Sequence, residues 1–258
     1  MNPAARRVEI VNIIRERDRV AVDELAESLH ISRETVRRDL TVLARAGKIQ
    51  KFHGGAALPT VVGEGSFQER MRENVKAKVG IATRALELIS PGETLFIDTG
   101  STTLYFAEQL TSIANLTVVT NSAEIARILS SEGSRSRTFL LGGEFSSDNQ
   151  QTVGSLAISQ IRSFRAHHAV LTIGALDERT GAMDFNIEEA QIARAMINQA
   201  QTLTLLVDSS KFNRIASFKV CGLEQINNLV CDTPPSGNLG KALAKVGVAV
   251  FSSTRTKS

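Results

Sequence analysis

The sequence predicts an α/β protein in which a small, basic N-terminal unit precedes a larger unit built on a doubly wound, mainly parallel sheet. Three observations carry this prediction. Residues 1–57 hold helical apolar patterns and end in a glycine-rich, alternating stretch. The rest of the chain alternates strand-length apolar runs with helix-length patterns, which is typical of a parallel sheet covered by helices. Residues 1–60 carry a net charge of +3, whereas the remaining residues carry a net charge of 0.

The first unit is predicted to contain three helices. Apolar positions within Ala4–Arg17 give the first, and Asp23–Leu29 gives a short second helix with Asp23 as its N-cap. His30-Ile31 is interpreted as a tight turn before the third helix. A short helix, a turn of a few residues and a second helix form the helix-turn-helix layout.

The third helix begins after Ser32, a favourable N-cap, and Gly47 is a plausible stop. Its apolar stripe is formed by Val36, Leu40 and Leu43. The opposite face is rich in arginine in its first two turns, which are the turns of a recognition helix that meet base edges. A solvated amphipathic helix is the alternative. The residues predicted to contact DNA from this helix are Ser32, Arg33, Glu34, Thr35, Arg37 and Arg38.

The stretch after this helix alternates and ends in Gly54-Gly55, which suits a β-hairpin wing. Lys48, Lys51 and His53 are then free to contact DNA phosphates. The excess positive charge of this part of the chain favours nucleic acid as a partner. We therefore predict a winged helix-turn-helix domain over residues 1–57.

Residues 58–66 are predicted to form a linker, because Leu58–Gly65 places one proline and two glycines between patterned segments. Residues 67–258 then form the second domain, which begins with one long helical stretch from Phe67 to about Leu88. The predicted strands are Thr94–Asp98, Leu116–Thr120, Thr138–Leu141, His168–Gly174, Thr202–Asp208, Leu229–Cys231 and Val246–Phe251. The predicted helices between them are Thr102–Leu110, Ala123–Leu129, Ser155–Ile161 and Glu188–Ala200.

Ligands of such sheets bind beyond the carboxyl ends of the strands, so these ends predict the binding site. The first strand runs through Asp98-Thr99 into Gly100 and a helix that starts with three hydroxyl residues. Free backbone N–H groups and the helix dipole make that start an anion site suited to phosphate. A plain Ser/Thr cap after a glycine turn is the alternative.

Polar or glycine-rich residues also end four other strands. Lys211 is placed to meet a phosphate and Asp208 to accept from sugar hydroxyls, although a surface turn with an ion pair would look the same. The predicted effector-binding residues are Asp98, Thr99, Gly100, Ser101, Thr102, Thr103, Thr120, Asn121, Gly142, Gly143, Gly174, Asp208 and Lys211.

These motifs resemble the DeoR family of bacterial transcriptional regulators over roughly residues 5–232. The first part of the resemblance is Ser32–Leu40, Gly47-Lys-Ile and His53-Gly-Gly-Ala56; the second is Phe96–Thr103, Val119–Ser122, Leu141–Gly143, Val153-Gly154, Ile173-Gly174 and Val207–Phe212. The resemblance implies an effector domain similar in fold to ribose-5-phosphate isomerase and glucosamine-6-phosphate deaminase. It also implies repression that a phosphorylated sugar, polyol or related metabolite relieves, and Met183–Glu189 is similar to the glycerol-3-phosphate type.

One departure from the family pattern concerns charge. Many relatives place an arginine a few residues after the glycine pair, whereas this chain has Ser146-Ser147-Asp148. The site is therefore expected to have one cation fewer for a phosphate.

Composition excludes several classes of protein. No apolar run is long enough for a transmembrane helix, and the N-terminus lacks the apolar core of a signal peptide. Cys221 and Cys231 fit neither a zinc pattern nor a disulfide framework and are expected to be buried. We expect a cytoplasmic protein without a metal or cofactor.

An enzyme with a DNA-binding arm is the alternative function. A sugar-phosphate isomerase or deaminase needs a carboxylate base, for which Asp177-Glu178 and Glu188-Glu189 are the candidates. His167-His168 begins a strand and so lies at the opposite end of the sheet. We expect no catalytic residue. We expect instead a homo-oligomer, a dimer or a tetramer, because paired small domains match a palindromic operator.

Overall fold

The computed structural model describes residues 2–17, 19–45, 49–52, 54–57, 65–131 and 135–254. The chain divides into two compact units, Met1–Val62 and Gly63–Ser258. Several sequence predictions, namely those for Gly47, Lys48, His53 and most of the linker, lie outside the described residues.

The first unit contains a helix-turn-helix followed by a small antiparallel sheet. Its elements are α1 (Pro3–Arg17), β1 (Arg19–Ala21), α2 (Val22–Ser28), α3 (Arg33–Arg45), β2 (Gln50–Phe52) and β3 (Gly55–Ala57). The strands are ordered β1-β3-β2, so the hairpin of β2 and β3 is the wing and β1 extends it. The predicted winged layout is therefore present in the described residues.

One cap prediction is wrong and another is confirmed. Helix α2 has Ala21, not Asp23, at its N-cap, because β1 pairs through Ala21 and the helix follows directly. Asp23 lies inside the first turn of that helix. Ser32 caps α3 as expected, since its Oγ accepts from the backbone N–H of Thr35 at 3.2 Å.

A carboxylate on α3 joins this helix to α1. Asp39 is 2 % exposed, and its two oxygens accept from the Nε of Arg6 at 2.6 Å and the Nε of Arg7 at 2.8 Å. Burial raises the pKa of Asp39, but the hydrogen bonds from both guanidinium groups outweigh it and hold the pKa below its usual range. The core beneath contains Ile10, Leu25, Val36 and Leu40.

The second unit contains helices, one large sheet and short hairpins. The helices are α4 (Phe67–Arg72), α5 (Val75–Leu86), α6 (Ser101–Leu110), α7 (Ala123–Leu129), α8 (Gly154–Ile161), α9 (Ile187–Ile197) and α10 (Gly237–Lys245). The strands are β4 (Thr94–Ile97), β5 (Thr117–Thr120), β6 (Arg137–Leu140), β7 (Glu144–Ser146), β8 (Gln151–Val153), β9 (Ala166–Leu171), β10 (Ala175–Asp177), β11 (Gly181–Asp184), β12 (Ala200–Val207), β13 (Phe218–Cys221), β14 (Asn228–Cys231) and β15 (Ala249–Ser252).

Seven strands among the described residues form one sheet, ordered β15-β14-β12-β9-β4-β5-β6. All of its strand pairs are parallel. Alternate residues enter two separate cores: Phe96 packs with α8 and α9 residues on one face, whereas Leu95 and Ile97 pack with α5 and α6 residues on the other. The predicted doubly wound sheet is therefore confirmed, with ends that differ by a few residues.

The sequence analysis missed the small antiparallel pieces and α10. Strands β7 and β8 form a hairpin, and β10, β11 and β13 form a second small sheet. Each of these strands has three or four residues, too few to show a clear period of two.

The predicted single helix from Phe67 to Leu88 is wrong, because it is broken into α4 and α5. Asn74 between them adopts a left-handed conformation with φ of 52°. Its side-chain Nδ2 donates to Oδ1 of Asp208 at 3.1 Å, which stabilises this break through a contact distant in sequence. Helix α4 is a separate helix that begins with its own capping box, formed by Ser66 and Glu69.

Cys221 and Cys231 are free and buried, as expected, and burial raises the pKa of each thiol to about 12. Within the described ranges, every helix is too short or too polar to cross a lipid bilayer.

Replacing Asp39 by Asn should lower the free energy of unfolding of the first unit. We expect a loss of about 2 kcal/mol at neutral pH, because Arg6 and Arg7 lose their charged partner while remaining partly exposed. Asp39 has a lowered pKa when folded, so its contribution is present above a pH of about 3.9 and is lost as the pH falls further. Urea unfolding at neutral and acidic pH measures both effects.

The control is Glu27→Gln, which changes an exposed carboxylate in the same unit. It should leave the stability within about 0.5 kcal/mol of the original. Equal stability of the Asp39→Asn variant and the original protein at neutral pH would contradict the role given to this carboxylate.

Candidate functional site

The first candidate site is the outer face of α3 with the wing. Val36, Leu40 and Leu43 are buried as predicted, which turns the opposite side of the helix to solvent. Of the residues predicted to contact DNA, Ser32, Arg33, Glu34, Arg37 and Arg38 are exposed and Thr35 is half-buried.

Side chains on this face are held by local polar contacts. The Nε of Arg33 lies 2.7 Å from Oδ1 of Asp23, and the Nε of Arg38 lies 3.2 Å from Oε1 of Glu34 one turn earlier. The Nζ of Lys51 on β2 donates to Oγ1 of Thr41 on α3 at 3.1 Å. The described part of the wing therefore presents a cation beside the recognition helix.

The second candidate site lies where the order in which the chain adds strands to the sheet reverses. After β4 the chain adds β5 and β6 on one side, and later adds β9, β12, β14 and β15 on the other. The space between the carboxyl ends of β4 and β9 is thus the topological switch point, where ligands of such sheets bind. A small pocket there is lined by Arg70, Ser101, Thr102, Thr172, Ile173, Leu206, Val207, Asp208 and Lys211.

The start of α6 forms one wall of this cavity. Gly100 occupies the N-cap position, and among the described residues no side chain caps the helix, so its first N–H groups are open to a ligand acceptor. Ser101 and Thr102 add hydroxyl groups to the cavity wall. This arrangement suits an anion such as phosphate.

Asp98 connects the two central strands at the switch point. Both of its carboxylate oxygens accept from the backbone N–H of Thr172, each at 3.1 Å. Burial raises the pKa of Asp98 well above its usual range, against the effect of this N–H, and the negative charges of Asp184 and Glu189 raise it further.

Asp208 and Lys211 line the cavity from the end of β12. Oδ1 of Asp208 accepts from the N–H and hydroxyl of Ser210 and from Asn74, so this carboxylate shapes the turn. Burial, together with the nearby positive charge of Arg214, lowers the pKa of Lys211 to about 7. A bound anion would favour the charged form of this lysine.

Arg70 on α4 is a cavity residue that the sequence analysis missed. One guanidinium nitrogen donates to Oδ1 of Asn149 at 2.8 Å. Helix α4 is fixed at this place because the ammonium of Lys78 donates to the carbonyl of Arg70 and the hydroxyl of Tyr105 donates to the carbonyl of Met71 at 3.1 Å. Arg70 therefore supplies a cation at the cavity, whereas Ser146-Ser147-Asp148 supplies none.

Several predicted residues support the site without lining the cavity. The hydroxyl of Thr103 donates to the carbonyls of Asp98 and Gly100, and the hydroxyl of Thr120 accepts from the N–H of Ser122. The amide nitrogen of Asn121 donates to the Gln151 side chain and to the carbonyl of Thr152. Within the described residues, the hydroxyl of Thr99 and the amide oxygen of Asn121 are buried without a hydrogen-bond partner.

The predicted glycines pack against protein atoms rather than bordering the cavity. A Cβ at Gly100 would lie 2.3 Å from Oγ1 of Thr172, and one at Gly143 would lie 2.5 Å from the carbonyl oxygen of Val153. Gly174 lies against the ring of Phe185, and Gly142 lies against Gln160. Their small size therefore permits the neighbouring elements to pack closely around the site.

Two family models match the chain. The one described as the DeoR-like helix-turn-helix domain matches residues 6–62, and the one described as the DeoR C terminal sensor domain matches residues 73–233. Together they cover the recognition helix and the strand ends around the cavity.

Relatives match over most of their length. The HTH-type transcriptional repressor CsqR of Escherichia coli is 31 % identical over 91 % of this chain and 90 % of its own. The glycerol-3-phosphate regulon repressor of Escherichia coli is 32 % identical over 91 % of this chain and 93 % of its own.

A solved structure of ribose 5-phosphate isomerase A from Methanocaldococcus jannaschii has 17 % identity and a TM-score of 0.40, over 54 % of this chain and 55 % of that one. This likeness concerns the fold alone. By its two domain matches and its relatives, this chain belongs to the DeoR family of transcriptional regulators.

Proposed function

We propose that the protein is a repressor of an operon for the breakdown of a sugar or polyol. It binds operator DNA through α3 and the wing, and a phosphorylated sugar, polyol or related metabolite binds at the switch point and weakens operator affinity. A coupling of about 1–3 kcal/mol between the two sites is typical of such regulators.

The observation that carries the effector proposal is the cavity between the ends of β4, β9 and β12. It combines the free start of α6 with the cationic side chains Lys211 and Arg70. A phosphate bound there accepts from backbone N–H groups, from the hydroxyls of Ser101 and Thr102, and from the two cations.

The operator proposal is supported by the arginines on the exposed face of α3. Arg37 and Arg38 project from the second turn, where a recognition helix meets base edges. Lys51 beside Thr41 is placed for a phosphate contact that fixes the orientation of the helix. Lys48 and His53 are likewise proposed to contact DNA phosphates.

We also propose a homo-oligomer, a dimer or tetramer, which places two recognition helices on a two-fold symmetric operator. Light scattering of the protein free and on operator DNA measures this directly. A monomer in both states would contradict it.

The protein is proposed to act without catalysis. Asp177, a candidate base from the sequence, accepts from the N–H groups of Arg179 and Thr180 and so forms the turn of the β10–β11 hairpin. Glu189, another candidate, does lie near the cavity and interacts with Asp98, so the enzyme alternative needs its own assay.

Replacing both Arg37 and Arg38 by Ala should weaken operator binding at least about thirty-fold at fixed salt, because each lost contact costs about 1–3 kcal/mol. Fluorescence anisotropy with the chain's own upstream DNA measures this. The matched control removes two exposed arginines of the other unit, Arg162→Ala and Arg179→Ala, and should bind normally. Unchanged binding by the Arg37/Arg38 variant would contradict the proposed DNA face.

Effector affinity should fall as the pH rises from about 7.5 to about 9. A phosphate monoester is already a dianion above a pH of about 6, so the ligand's charge stays constant in this range. Lys211 has a pKa of about 7 in the free protein, and a bound dianion raises it, so binding takes up a proton. The expected fall is up to about tenfold per pH unit, measured by calorimetry.

The Lys211→Met variant should bind the effector more weakly and lose this pH dependence, while its operator binding without effector stays unchanged. Lys219→Met, which changes an exposed lysine of the same unit, should keep the dependence. If effector affinity falls with pH as steeply in the Lys211→Met variant as in the original protein, another group takes up the proton.

Incubation with ribose 5-phosphate or glucosamine 6-phosphate should yield no product. At the protein concentrations of the binding assays, chromatography should show that the substrate is unchanged. Turnover that Glu189→Gln abolishes would support the enzyme alternative instead.

A further inference from the structure

A second group of side chains borders the effector cavity on the side of Arg70. Asp184 is the last residue of β11, and Glu189 lies in the first turn of α9. The N–H of Gly174 donates to the carbonyl of Met183 at 2.9 Å, and a Cβ at Gly174 would lie 3.5 Å from Cα of Asp184. The hairpin of β10 and β11 therefore brings Asp184 to the carboxyl end of β9, beside the cavity residues Thr172 and Ile173.

The two carboxylates are close to one another and to Asp98. Burial and the charge of Glu189 raise the pKa of Asp184 to about 7, against the N–H groups of Asn186 and Phe185 and the charge of Arg70. The same two carboxylates raise the pKa of Asp98. Three acidic side chains thus lie close together here, and the raised pKa values of Asp98 and Asp184 mean that additional negative charge is unfavourable at this place.

Amide side chains order this acidic end. Arg70 donates to Asn149, and the Nδ2 of Asn149 donates to Oε1 of Glu189 at 2.5 Å. The Nε2 of Gln151 donates to the same oxygen at 2.8 Å. Within the described part of the chain, Oε2 of Glu189 receives no hydrogen bond from the protein and remains an acceptor for a ligand.

A separate observation points to a ligand with hydrogen-bond donors. Asn121 is 1 % exposed and joins the same network, because its Nδ2 donates to Oε1 of Gln151 at 3.2 Å. Its Oδ1 has no partner among the described residues, and neither does the buried hydroxyl of Thr99 next to Asp98. Buried acceptors of this kind are satisfied by a donor from a ligand or an ordered water.

We propose that Asp184, Glu189, Asn149 and Gln151 form the hydroxyl-recognising end of the effector site, which selects polyhydroxy compounds with one phosphate and rejects those with a second anionic group. The proposal rests on the proposed effector function and adds the class of ligand. A sugar or polyol hydroxyl donates to these carboxylate oxygens, whereas a second phosphate or a carboxylate has no proton to donate and is repelled.

Calorimetry with the full chain and two matched pairs of compounds tests this selection. The first pair is glycerol 3-phosphate and 3-phosphoglycerate, in which a carboxylate replaces a terminal CH₂OH group. The second is fructose 6-phosphate and fructose 1,6-bisphosphate. In each pair that binds, the original protein should prefer the compound with a single anionic group by at least about tenfold, because like charges meet at the acidic end.

Glu189→Gln and the double variant Asp184→Asn, Glu189→Gln should narrow this preference while still binding inorganic phosphate with the original affinity. Glu108→Gln, an exposed change on α6, is the control and should keep the full preference. Thermal unfolding shows whether each variant is folded. The selectivity of the original protein is measured without any variant, so it tests the proposal even if a variant fails to fold.

Each result separates the two proposals. Equal binding within a pair, or an unchanged preference in the folded double variant, would overturn the hydroxyl-recognising end while leaving the effector site in place. Absence of binding by inorganic phosphate and by all four compounds, with no effect on operator affinity, would overturn the proposed effector function and this inference with it.

Discussion

The contact between Asp98 and the N–H of Thr172 is the constraint on which the sensor unit depends. It joins the ends of β4 and β9, the two strands from which the sheet grows in opposite directions. A buried carboxylate is costly unless it receives hydrogen bonds, so the chain can place one here only because two parallel strands end side by side. That geometry also directs the start of α6 and the turn at Asp208 into one cavity.

The central architecture was predictable from sequence because its strands are buried on both faces. Such strands appear as mainly apolar runs, as Leu95–Ile97 and Leu203–Val207 do. The same property made Ser101, Thr102, Asp208 and Lys211 predictable, since each lies shortly after the carboxyl end of a strand. Parallel strands bring such residues together whatever their separation along the chain.

Residues placed by other contacts could not be predicted in this way. Arg70 precedes the whole sheet and lies on α4, which is separated from α5 by Asn74. The Asn74 side chain donates to Asp208 far along the chain, a contact that no local pattern reveals. Asn149 and Gln151 come from a hairpin too short to show a period. The sequence placed the glycines at the correct strand ends. It could not show that Gly143 packs closely on β8, because that contact depends on the tertiary structure.

The separation between the large sheet and the small hairpins has a consequence for how this family diversifies. The proposed anion-binding end is formed by the ends of strands that pack between two hydrophobic cores, so a substitution there disturbs the fold. The acidic end is built from the β10–β11 hairpin, the residues after β7 and the first turn of α9. These pieces also supply apolar residues to one core, but the polar side chains Asp184, Asn149 and Glu189 are not among them. Substitution of these polar side chains leaves the core residues in place, so a descendant of this chain can acquire a different effector at the proposed site while keeping its scaffold.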